Sequence, residues 1–196
     1  MLKFLIEYIK HPRNTGAIAA STAQLAKGMV KGVDFNEAKY IVEIGPGTGS
    51  FTREIMKRKK PSTFLLLIEV NEAFSTILQE KYQDDPSVQV VNGSAEDLEA
   101  YLIAANINEI DYCVSGLPFA SLPTHVSTKI LKSVMKSLKP DGKFITFQYT
   151  LFKLSFINEY FSQVSVEKVW FNLPPAYVLL CGNEMALDVD ASGILF

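Results

Sequence analysis

The sequence predicts an α/β fold with a doubly wound, mostly parallel seven-stranded sheet whose last strand is antiparallel. Short runs of apolar and β-branched residues alternate with segments of helical periodicity, as in successive βαβ units. The first run, residues 40–44, opens directly into glycines at positions 45, 47 and 49. The last two runs, residues 164–171 and 176–181, are separated by only four residues, a spacing that predicts a hairpin.

The other elements follow from apolar periodicity between turn-forming residues. Pro12 ends the first helix, and the Lys139-Pro140-Asp141-Gly142 turn precedes the fifth strand. The expected strands cover residues 40–44, 63–69, 88–91, 110–114, 143–149, 164–171 and 176–181. The expected helices cover residues 1–11, 23–30, 50–57, 73–82, 98–105, 124–138 and 152–161.

Length and composition favour a single cytoplasmic domain of 196 residues, with a helical segment at residues 1–33 and the main unit at residues 34–185. No apolar run approaches the roughly 20 residues of a membrane span, and no secretory leader is evident. Cys113 and Cys181 lie in apolar contexts typical of buried free thiols, and no cysteine–histidine spacing indicates a metal site. The net charge of −2 counts against a protein that binds a long nucleic acid through its phosphates.

The first helix has an apolar face formed by Leu2, Leu5, Ile6 and Ile9. Residues 1–33 hold five basic side chains against one acidic side chain, although the whole chain is acidic. One interpretation is an ordinary helix packed on the domain. The other is an interfacial helix, through which residues 1–13 make a peripheral contact with an anionic membrane.

The turn after the first strand has the pattern Glu-x-Gly-x-Gly-x-Gly, running from Glu43 through Gly45 and Gly47 to Gly49. The dinucleotide-binding pattern G-x-G-x-x-G would require glycine at position 50, where this chain has Ser50. A strand that opens into such a turn before a helix lets the backbone approach a ligand near the helix N-terminus. This turn is therefore a candidate ligand-binding loop.

An acidic residue ends the second strand, because Glu69 lies 20 residues after Gly49. A carboxylate at this strand end can accept hydrogen bonds from both ribose hydroxyls of a bound nucleoside. The alternative is a simple strand-end acid without a ligand. Asn71 follows on the same loop.

Small and polar residues follow the third strand, at Gly93, Ser94 and Ala95. In a nucleoside-binding sheet of this type the adenine meets this strand end, so Ser94 and the Ala95 amide would border the base. Ser94 also fits a helix N-cap, with Asp97 in the capping-box position, and both roles can coexist.

The fourth strand opens into Ser115-Gly116-Leu117-Pro118-Phe119. Ligands of open α/β sheets bind outside the carboxyl ends of the strands, so this loop is expected to border the substrate. Its apolar character indicates a wall that excludes water rather than a centre for proton transfer.

Together these strand ends resemble the class I S-adenosylmethionine-dependent methyltransferases, whose motif I has the form found at residues 43–49. The agreement covers residues 40–181, and the turn at residues 138–142 is also typical of that group. The resemblance implies a Rossmann-like methyltransferase sheet, S-adenosylmethionine as the cofactor, and enzymatic methyl transfer.

At closer range the chain resembles the bacterial phospholipid N-methyltransferases, which are related to the rRNA adenine dimethylases. The segments that carry this narrower resemblance are residues 11–12, 16–21, 43–51, 115–119, 122–123, 147–149 and 172–176. The resemblance implies that an amine such as that of phosphatidylethanolamine receives methyl groups at a membrane surface. The amphipathic first helix would help to hold the enzyme there.

The adenine dimethylases use an Asn-Leu-Pro-Tyr/Phe loop, whose asparagine accepts hydrogen bonds from the target amino group. The matching residue here is Gly116, and Ser115 or a backbone carbonyl would substitute less directly. We also expect no C-terminal helical domain of the kind that those enzymes carry. A lipid amine is therefore favoured over adenine, with a soluble small-molecule methyltransferase and a non-catalytic nucleotide-binding module as further alternatives.

The resemblance also implies roles for individual residues. Leu117, Pro118 and Phe119 would shape the acceptor pocket, and Tyr149 would present its ring or hydroxyl to an amine, with a plain core tyrosine as the alternative. Glu43 would orient the loop amides or bind the methionine ammonium through water. The residues expected to bind the cofactor are Ser21, Glu43, Gly45, Gly47, Gly49, Glu69, Asn71, Gly93, Ser94, Ala95 and Ser115.

Overall fold

The computed structural model of the chain describes residues 16–183 except 171 and 173, with side chains from residue 23 onward. The predicted helix over residues 1–11, and with it the expected membrane contact of residues 1–13, lies outside the described residues. The same holds for the tail after residue 183.

Seven strands form one sheet with the order β3-β2-β1-β4-β5-β7-β6. Strands β1 to β5 run parallel to one another, whereas β7 pairs antiparallel with both β5 and β6. The predicted doubly wound, mostly parallel sheet with an antiparallel last strand is confirmed. The strands are β1 (Tyr40–Ile44), β2 (Phe64–Glu69), β3 (Val88–Asn92), β4 (Ile110–Ser115), β5 (Leu138–Gln148), β6 (Gln163–Val169) and β7 (Ala176–Gly182).

Helices connect consecutive strands from β1 to β6 and cover both faces of the sheet. They are α1 (Gly16–Val30), α2 (Ser50–Met56), α3 (Glu72–Tyr82), α4 (Leu98–Ala104), α5 (Thr124–Ser137) and α6 (Leu154–Asn158), with 3₁₀ turns at Ala95–Asp97 and Leu151–Lys153. Helix α1 begins seven residues before the predicted start at Ala23, because the small residues before Ala23 continue the helix without an apolar period. None of the described helices has the length and apolar character needed to cross a bilayer.

The prediction of a turn at residues 139–142 is wrong, because these residues lie within strand β5 and form an irregularity in its pairing with β4. Ile110 pairs with Leu138 and Tyr112 pairs with Lys143, so β5 carries extra residues between two paired positions. A side-chain carbon at Gly142 would lie 3.0–3.1 Å from backbone atoms of Lys139 and Ile110, which explains glycine at this crowded site.

The core consists of two apolar clusters, one on each face of the sheet. The first cluster contains Ile44, Cys113 and Phe144, and the Phe144 ring stacks on Phe161 at 5.4 Å between centroids. The second contains Leu67 from β2 and Met29 from α1. Because both faces are covered, the central strands are apolar on both sides, as in other parallel sheets.

Both cysteines are buried free thiols, as predicted. Burial raises the pKa of Cys181 to about 12, and burial together with the charge of Glu43 raises the pKa of Cys113 still further. Both thiols are therefore protonated at neutral pH and serve as small apolar groups in the core.

Candidate functional site

Four predicted ligand loops meet at the carboxyl edge of the sheet, because they follow four adjacent strands. Backbone hydrogen bonds continue the sheet into the loops: Gly45 donates to Ile68 at 2.9 Å, and Gly93 donates to Glu69 at 3.0 Å. Gly116 likewise donates to the carbonyl of Ile44 at 2.9 Å. The first residues of these loops are thus fixed by the sheet itself.

The three glycines of the β1 loop all have left-handed backbone conformations, with φ of +68° at Gly45, +55° at Gly47 and +76° at Gly49. Only glycine adopts this region at low cost, which explains the alternating pattern. A side-chain carbon at Gly45 would lie 2.6 Å from Leu117, so the β1 and β4 loops are in close contact. At Gly47 the same carbon would meet no atom within 4 Å, so the loop is open on that side.

Glu69 joins the β1 loop to the end of β2. Its carboxylate accepts one hydrogen bond from the Gly47 amide and one from the Asn71 amide, each at 2.8 Å. The residue is only 5% exposed, so these bonds form in a largely dry environment. Each oxygen keeps a further lone pair, which fits the predicted contact with ribose hydroxyls. Asn71 in turn caps α3 by accepting from the Phe74 amide.

Glu43 is completely buried beside this loop, and neither of its carboxylate oxygens has a hydrogen-bond partner among the described residues. Burial raises the pKa of Glu43 to about 8, and the negative charge of Glu69 adds to the increase. Thr52 lies close enough to oppose this shift, but it completes no hydrogen bond of normal geometry with the carboxylate. An unpartnered buried carboxyl group fits a ligand that brings a cation or a donor.

The loop after β3 is compact. A side-chain carbon at Gly93 would lie 2.1 Å from the Tyr101 hydroxyl, so this position requires glycine unless Tyr101 moves. Ser94 caps the following 3₁₀ turn by accepting from the Glu96 amide at 3.2 Å, which confirms its capping role. The Asp97 amide donates to the backbone carbonyl of Ser94 at 3.0 Å rather than to its hydroxyl, so the predicted capping box is wrong. Ala95 is nearly buried, and contacts of Ser94 and Ala95 with adenine stay a prediction.

The loop after β4 is held from both sides. The Ser115 hydroxyl accepts from the Leu117 amide at 3.2 Å, and both Ser115 and Phe119 are buried. The Phe119 ring packs edge-on against Phe144 at 5.9 Å between centroids. This ring therefore supports the loop from the core, and a direct contact of Leu117, Pro118 or Phe119 with substrate stays a prediction.

Gly116 allows the β4 loop to approach the β1 loop. A side-chain carbon at this position would lie 2.3 Å from the backbone carbonyl oxygen of Gly45. The sequence shows that Gly116 replaces the loop asparagine of the adenine dimethylases, but it does not show this steric reason for the glycine. No larger residue fits at Gly116 unless one of the two backbones moves.

Tyr149 follows β5 at the same edge and is 48% exposed, so the alternative of a plain core tyrosine is wrong. Its ring packs edge-on against Phe147 at 5.5 Å between centroids. The backbone of Ser21 lies in α1, but the structure does not describe its side chain. Its predicted contact with cofactor therefore stays a prediction.

Sequence reasoning missed Gln148, whose side chain is 97% buried at the end of β5, and neither of its amide atoms has a partner among the described residues. The available signal was a polar residue between two aromatic residues in a strand, at a position that alternation places on a covered face. Among the described residues, no group of histidine, cysteine and carboxylate side chains is arranged to hold a metal ion.

The edge as a whole fits S-adenosylmethionine. The open side of Gly47 leaves room for a ligand against the loop, Glu69 keeps free lone pairs, and the unpartnered Glu43 carboxyl group suits an ammonium group. We expect Glu69 to bind the ribose and the β1 loop to border the methionine portion.

Comparisons with known proteins agree with this assignment. A sequence model of the family described as ribosomal RNA adenine dimethylase matches residues 20–164. The chain is 30% identical to an ornithine lipid N-methyltransferase of Singulisphaera acidiphila over 180 residues, which cover 91% of this chain and 93% of that protein. It is 29% identical to ribosomal RNA small subunit methyltransferase A of Thermotoga maritima over 57% of this chain but only 37% of that enzyme.

The fold has matches among solved structures. A Burkholderia thailandensis 1,6-didemethyltoxoflavin-N1-methyltransferase, solved with S-adenosylhomocysteine, aligns with a TM-score of 0.68 at 12% identity, over 93% of this chain and 86% of its own. An rRNA methylase from Streptococcus thermophilus aligns with a TM-score of 0.59 at 14% identity, over 87% of this chain and 98% of its own. The chain therefore belongs to the ribosomal RNA adenine dimethylase family and is a class I S-adenosylmethionine-dependent methyltransferase.

Proposed function

We propose that this methyltransferase N-methylates the amine of a membrane lipid, such as phosphatidylethanolamine or an amino-acid-derived lipid. One structural observation carries the proposal: the edge of the sheet that bears the site also exposes apolar side chains. Similarity to the ornithine lipid enzyme over nearly the whole chain supports a lipid amine as the acceptor.

Nine large apolar side chains are exposed among the described residues, and five of them follow the carboxyl ends of strands. These five, called here the edge patch, are Val70 after β2, Tyr149, Leu151 and Phe152 after β5, and Trp170 after β6. Phe152 is 85% exposed and Trp170 is 68% exposed. Exposed apolar residues concentrated on one edge are typical of a membrane or protein contact rather than of chance exposure.

Basic side chains accompany the edge patch. The Lys168 ammonium lies 3.7 Å from the centroid of the Trp170 ring, and the Lys153 ammonium lies 5.3 Å from that of Phe156. Aromatic rings beside lysines suit the head-group region of an anionic bilayer, where the rings enter the interface and the ammonium groups meet phosphates. With this edge on the bilayer, a lipid amine would reach the site without leaving the membrane.

The β4 loop disfavours adenine as the acceptor. An asparagine at position 116, the residue that binds the target amino group in adenine dimethylases, would force one of the two loops to move, because its Cβ would lie 2.3 Å from the Gly45 carbonyl oxygen. The formal net charge of −2 also gives weak attraction to a long nucleic acid.

The main task of the protein in this reaction is to align the methyl donor with the acceptor nitrogen. S-adenosylmethionine supplies a methyl group that is already activated on a sulfonium, so no metal or covalent enzyme intermediate is needed. Glu69 and the β1 loop would fix the donor, while the β4 loop, supported by Phe119, would exclude water from the acceptor nitrogen. Holding donor and acceptor in line supplies much of the rate enhancement in reactions of this kind.

The acceptor nitrogen must present a lone pair, which forms the new N–C bond. Its proton would leave to water or to a lipid phosphate, since none of the side chains assigned here is needed as a base. The half-exposed Tyr149 ring would attract the methylated ammonium product by about 0.5–2 kcal/mol.

The acceptor is tested by incubating the protein with methyl-labelled S-adenosylmethionine and four acceptors: vesicles containing phosphatidylethanolamine, vesicles containing ornithine lipid, 16S rRNA, and a soluble primary amine. We expect label in a lipid amine and none in the RNA. Label in adenine alone would overturn the proposal in favour of the activity named for the family. Label in a soluble amine alone would indicate a small-molecule methyltransferase.

The membrane contact is tested with Trp170, which is the one tryptophan of the chain. Its fluorescence should shift to the blue and be quenched by brominated lipids when anionic vesicles are added. Phe152→Glu should weaken vesicle co-sedimentation, whereas Ile103→Glu should not, because Ile103 is 75% exposed near the opposite edge, at the end of α4. Equal binding by both variants would remove the edge patch from the proposal.

A further inference from the structure

Two side chains among the described residues are buried with both of their polar atoms unpartnered, and they are Glu43 and Gln148. The other buried unpartnered atoms are single hydroxyl groups of serine and threonine. Buried amide groups are almost always hydrogen-bonded in folded proteins, so an amide without a partner calls for a physical reason. The proposed cofactor contacts account for Glu43 but leave Gln148 unexplained.

Gln148 lies at the carboxyl end of β5, next to the predicted acceptor loop. Ser115 at the end of β4 pairs with Thr146, and Gln148 is two residues further along β5. Strand alternation places Thr146 and Gln148 on the same face as Ser115, and this face carries the core cluster that includes Phe119. Gln148 is therefore a neighbour of the loop that begins at Ser115.

Glu43 and Gln148 lie on opposite faces of the sheet. Glu43 pairs with Val114, and Val114 pairs with Ile145, which is three residues before Gln148. Because side chains alternate along a strand, Gln148 points away from the face that holds Glu43. The two unpartnered groups therefore flank the carboxyl edge, one beside the donor loop and the other beside the acceptor loop.

The acceptor site lacks the side-chain oxygen that adenine dimethylases supply from their loop. Gly116 cannot supply it, because a side chain there would overlap the Gly45 carbonyl at 2.3 Å. The Ser115 hydroxyl already accepts from the Leu117 amide. Thr146 and Gln148 are the residues of β5 on this face, among the described residues, whose side-chain oxygens are buried, uncharged and without a partner. Of the two, Gln148 lies closer to the carboxyl edge and has the longer side chain, so it is the better placed to reach a substrate beside the β4 loop.

We propose that the Gln148 carboxamide oxygen accepts an N–H of the substrate amine and thereby orients the nitrogen lone pair toward the methyl donor. An amide suits this task, because it binds an N–H without adding a charge to a buried site. The amide NH₂ remains available to donate to a head-group oxygen of the same substrate. This inference rests on the proposed transfer to a lipid amine.

The test compares Gln148→Leu with Thr146→Val, which removes a buried, unpartnered hydroxyl from the same face of the same strand. Three quantities are measured for each: the thermal unfolding midpoint, the affinity for S-adenosylmethionine, and transfer of label to lipid amine over a range of lipid fractions in vesicles. Thr146→Val is expected to match the wild type in cofactor affinity and transfer.

For Gln148→Leu we expect an unchanged or raised unfolding midpoint, because leucine leaves no polar atom unpaired in the core. Cofactor affinity should stay within twofold of the wild type, while kcat/KM for the lipid should fall roughly tenfold or more, about 1.4 kcal/mol. A purely structural glutamine predicts the reverse pattern: a lower midpoint with kcat/KM retained.

Each of the other possible outcomes overturns either the role of Gln148 or the proposed function. An active wild type with an equally active Gln148→Leu variant overturns the role of Gln148 and leaves the proposed function intact. A clearly lowered unfolding midpoint in the variant also overturns the role. A wild type that transfers no label to any lipid amine overturns the proposed function and this inference with it.

Discussion

The Gly47 amide donates a 2.8 Å hydrogen bond to the Glu69 carboxylate, which ties the glycine loop of β1 to the end of β2. The same carboxylate accepts from the Asn71 amide, so one side chain holds backbone on both sides of the predicted ribose site. Glu69 therefore has a structural task even before a ligand binds. Its loss is expected to disturb both the loop and the nucleoside contact.

The β1 glycines predict a graded response to alanine. Gly47→Ala should cost roughly 1–2 kcal/mol of stability, because alanine is strained at φ +55° but its methyl group meets no neighbour. Gly45→Ala should cost more, because its methyl group would also lie 2.6 Å from Leu117. Chemical denaturation measures both values. Equal losses would show that the contact between the β1 and β4 loops is unimportant.

Gly116→Asn tests whether the dimethylase loop can be restored in this chain. The new side chain would overlap the Gly45 carbonyl oxygen, so we expect a loss of about 1–3 kcal/mol of stability and weaker methyl transfer. Ala120→Asn, an exposed change on the same loop, is the matched control. The prediction fails if Gly116→Asn keeps wild-type stability and gains activity on adenine.

Glu43 predicts a pH-dependent stability. Its pKa is raised from 4.5 to about 8 by burial, so between these values the folded state holds a proton that the unfolded state has released. Stability should therefore fall as the pH rises through this window, by at most about 1.4 kcal/mol per pH unit. Glu43→Gln should remove this part of the slope in denaturation curves measured across the window. Parallel curves for wild type and variant would contradict the assignment.

Asp111 anchors the start of β1 away from the site. Its carboxylate accepts from the amides of Lys39 and Tyr40 at 2.8 and 2.7 Å and pairs with the Lys139 ammonium. Burial acts to raise the pKa of Asp111, but Lys139 and the two amides outweigh it and hold the pKa below its usual range. The contribution of Asp111 to stability is therefore present above the unfolded pKa and is lost as the pH falls through the folded pKa.

Asp111→Ala should lower stability at neutral pH by about 1–3 kcal/mol, because it leaves two amides without their acceptor. Asp111→Asn should cost less, because an amide oxygen can still accept from Lys39 and Tyr40. Both variants should leave cofactor affinity unchanged. Urea denaturation at neutral and acidic pH checks the order, and an equal cost for both substitutions would assign the whole effect to the ion pair with Lys139.

The sheet could be predicted because its strands are continuous apolar runs and its glycine loop marks where β1 ends. The start of β5 could not, because Lys139-Pro140-Asp141-Gly142 has the composition of a turn yet forms an irregularity within a paired strand. The start of α1 was also missed, because the small residues before Ala23 have no apolar period.

The candidate site, like the fold, could be predicted from the sequence only in part. Spacing along the chain placed Glu69, Ser94 and the β4 loop at neighbouring strand ends, since parallel strands share one carboxyl edge. Sequence spacing could not show that Gly116 lies against the Gly45 carbonyl, because that contact depends on the separation of two loops. Gln148 was missed because only the packing around it shows that its amide has no partner in the part of the chain that the structure describes.

The central claim is that the joined ends of β1 and β2 bind the cofactor, and calorimetric titration of S-adenosylmethionine into Glu69→Ala tests it most directly. Glu72→Ala, which removes an exposed acid from the first turn of α3, is the control. We predict that Glu69→Ala stays folded by circular dichroism and loses roughly 100-fold or more in affinity, as expected for hydrogen bonds to a charged group. Unchanged affinity in folded Glu69→Ala would contradict the account.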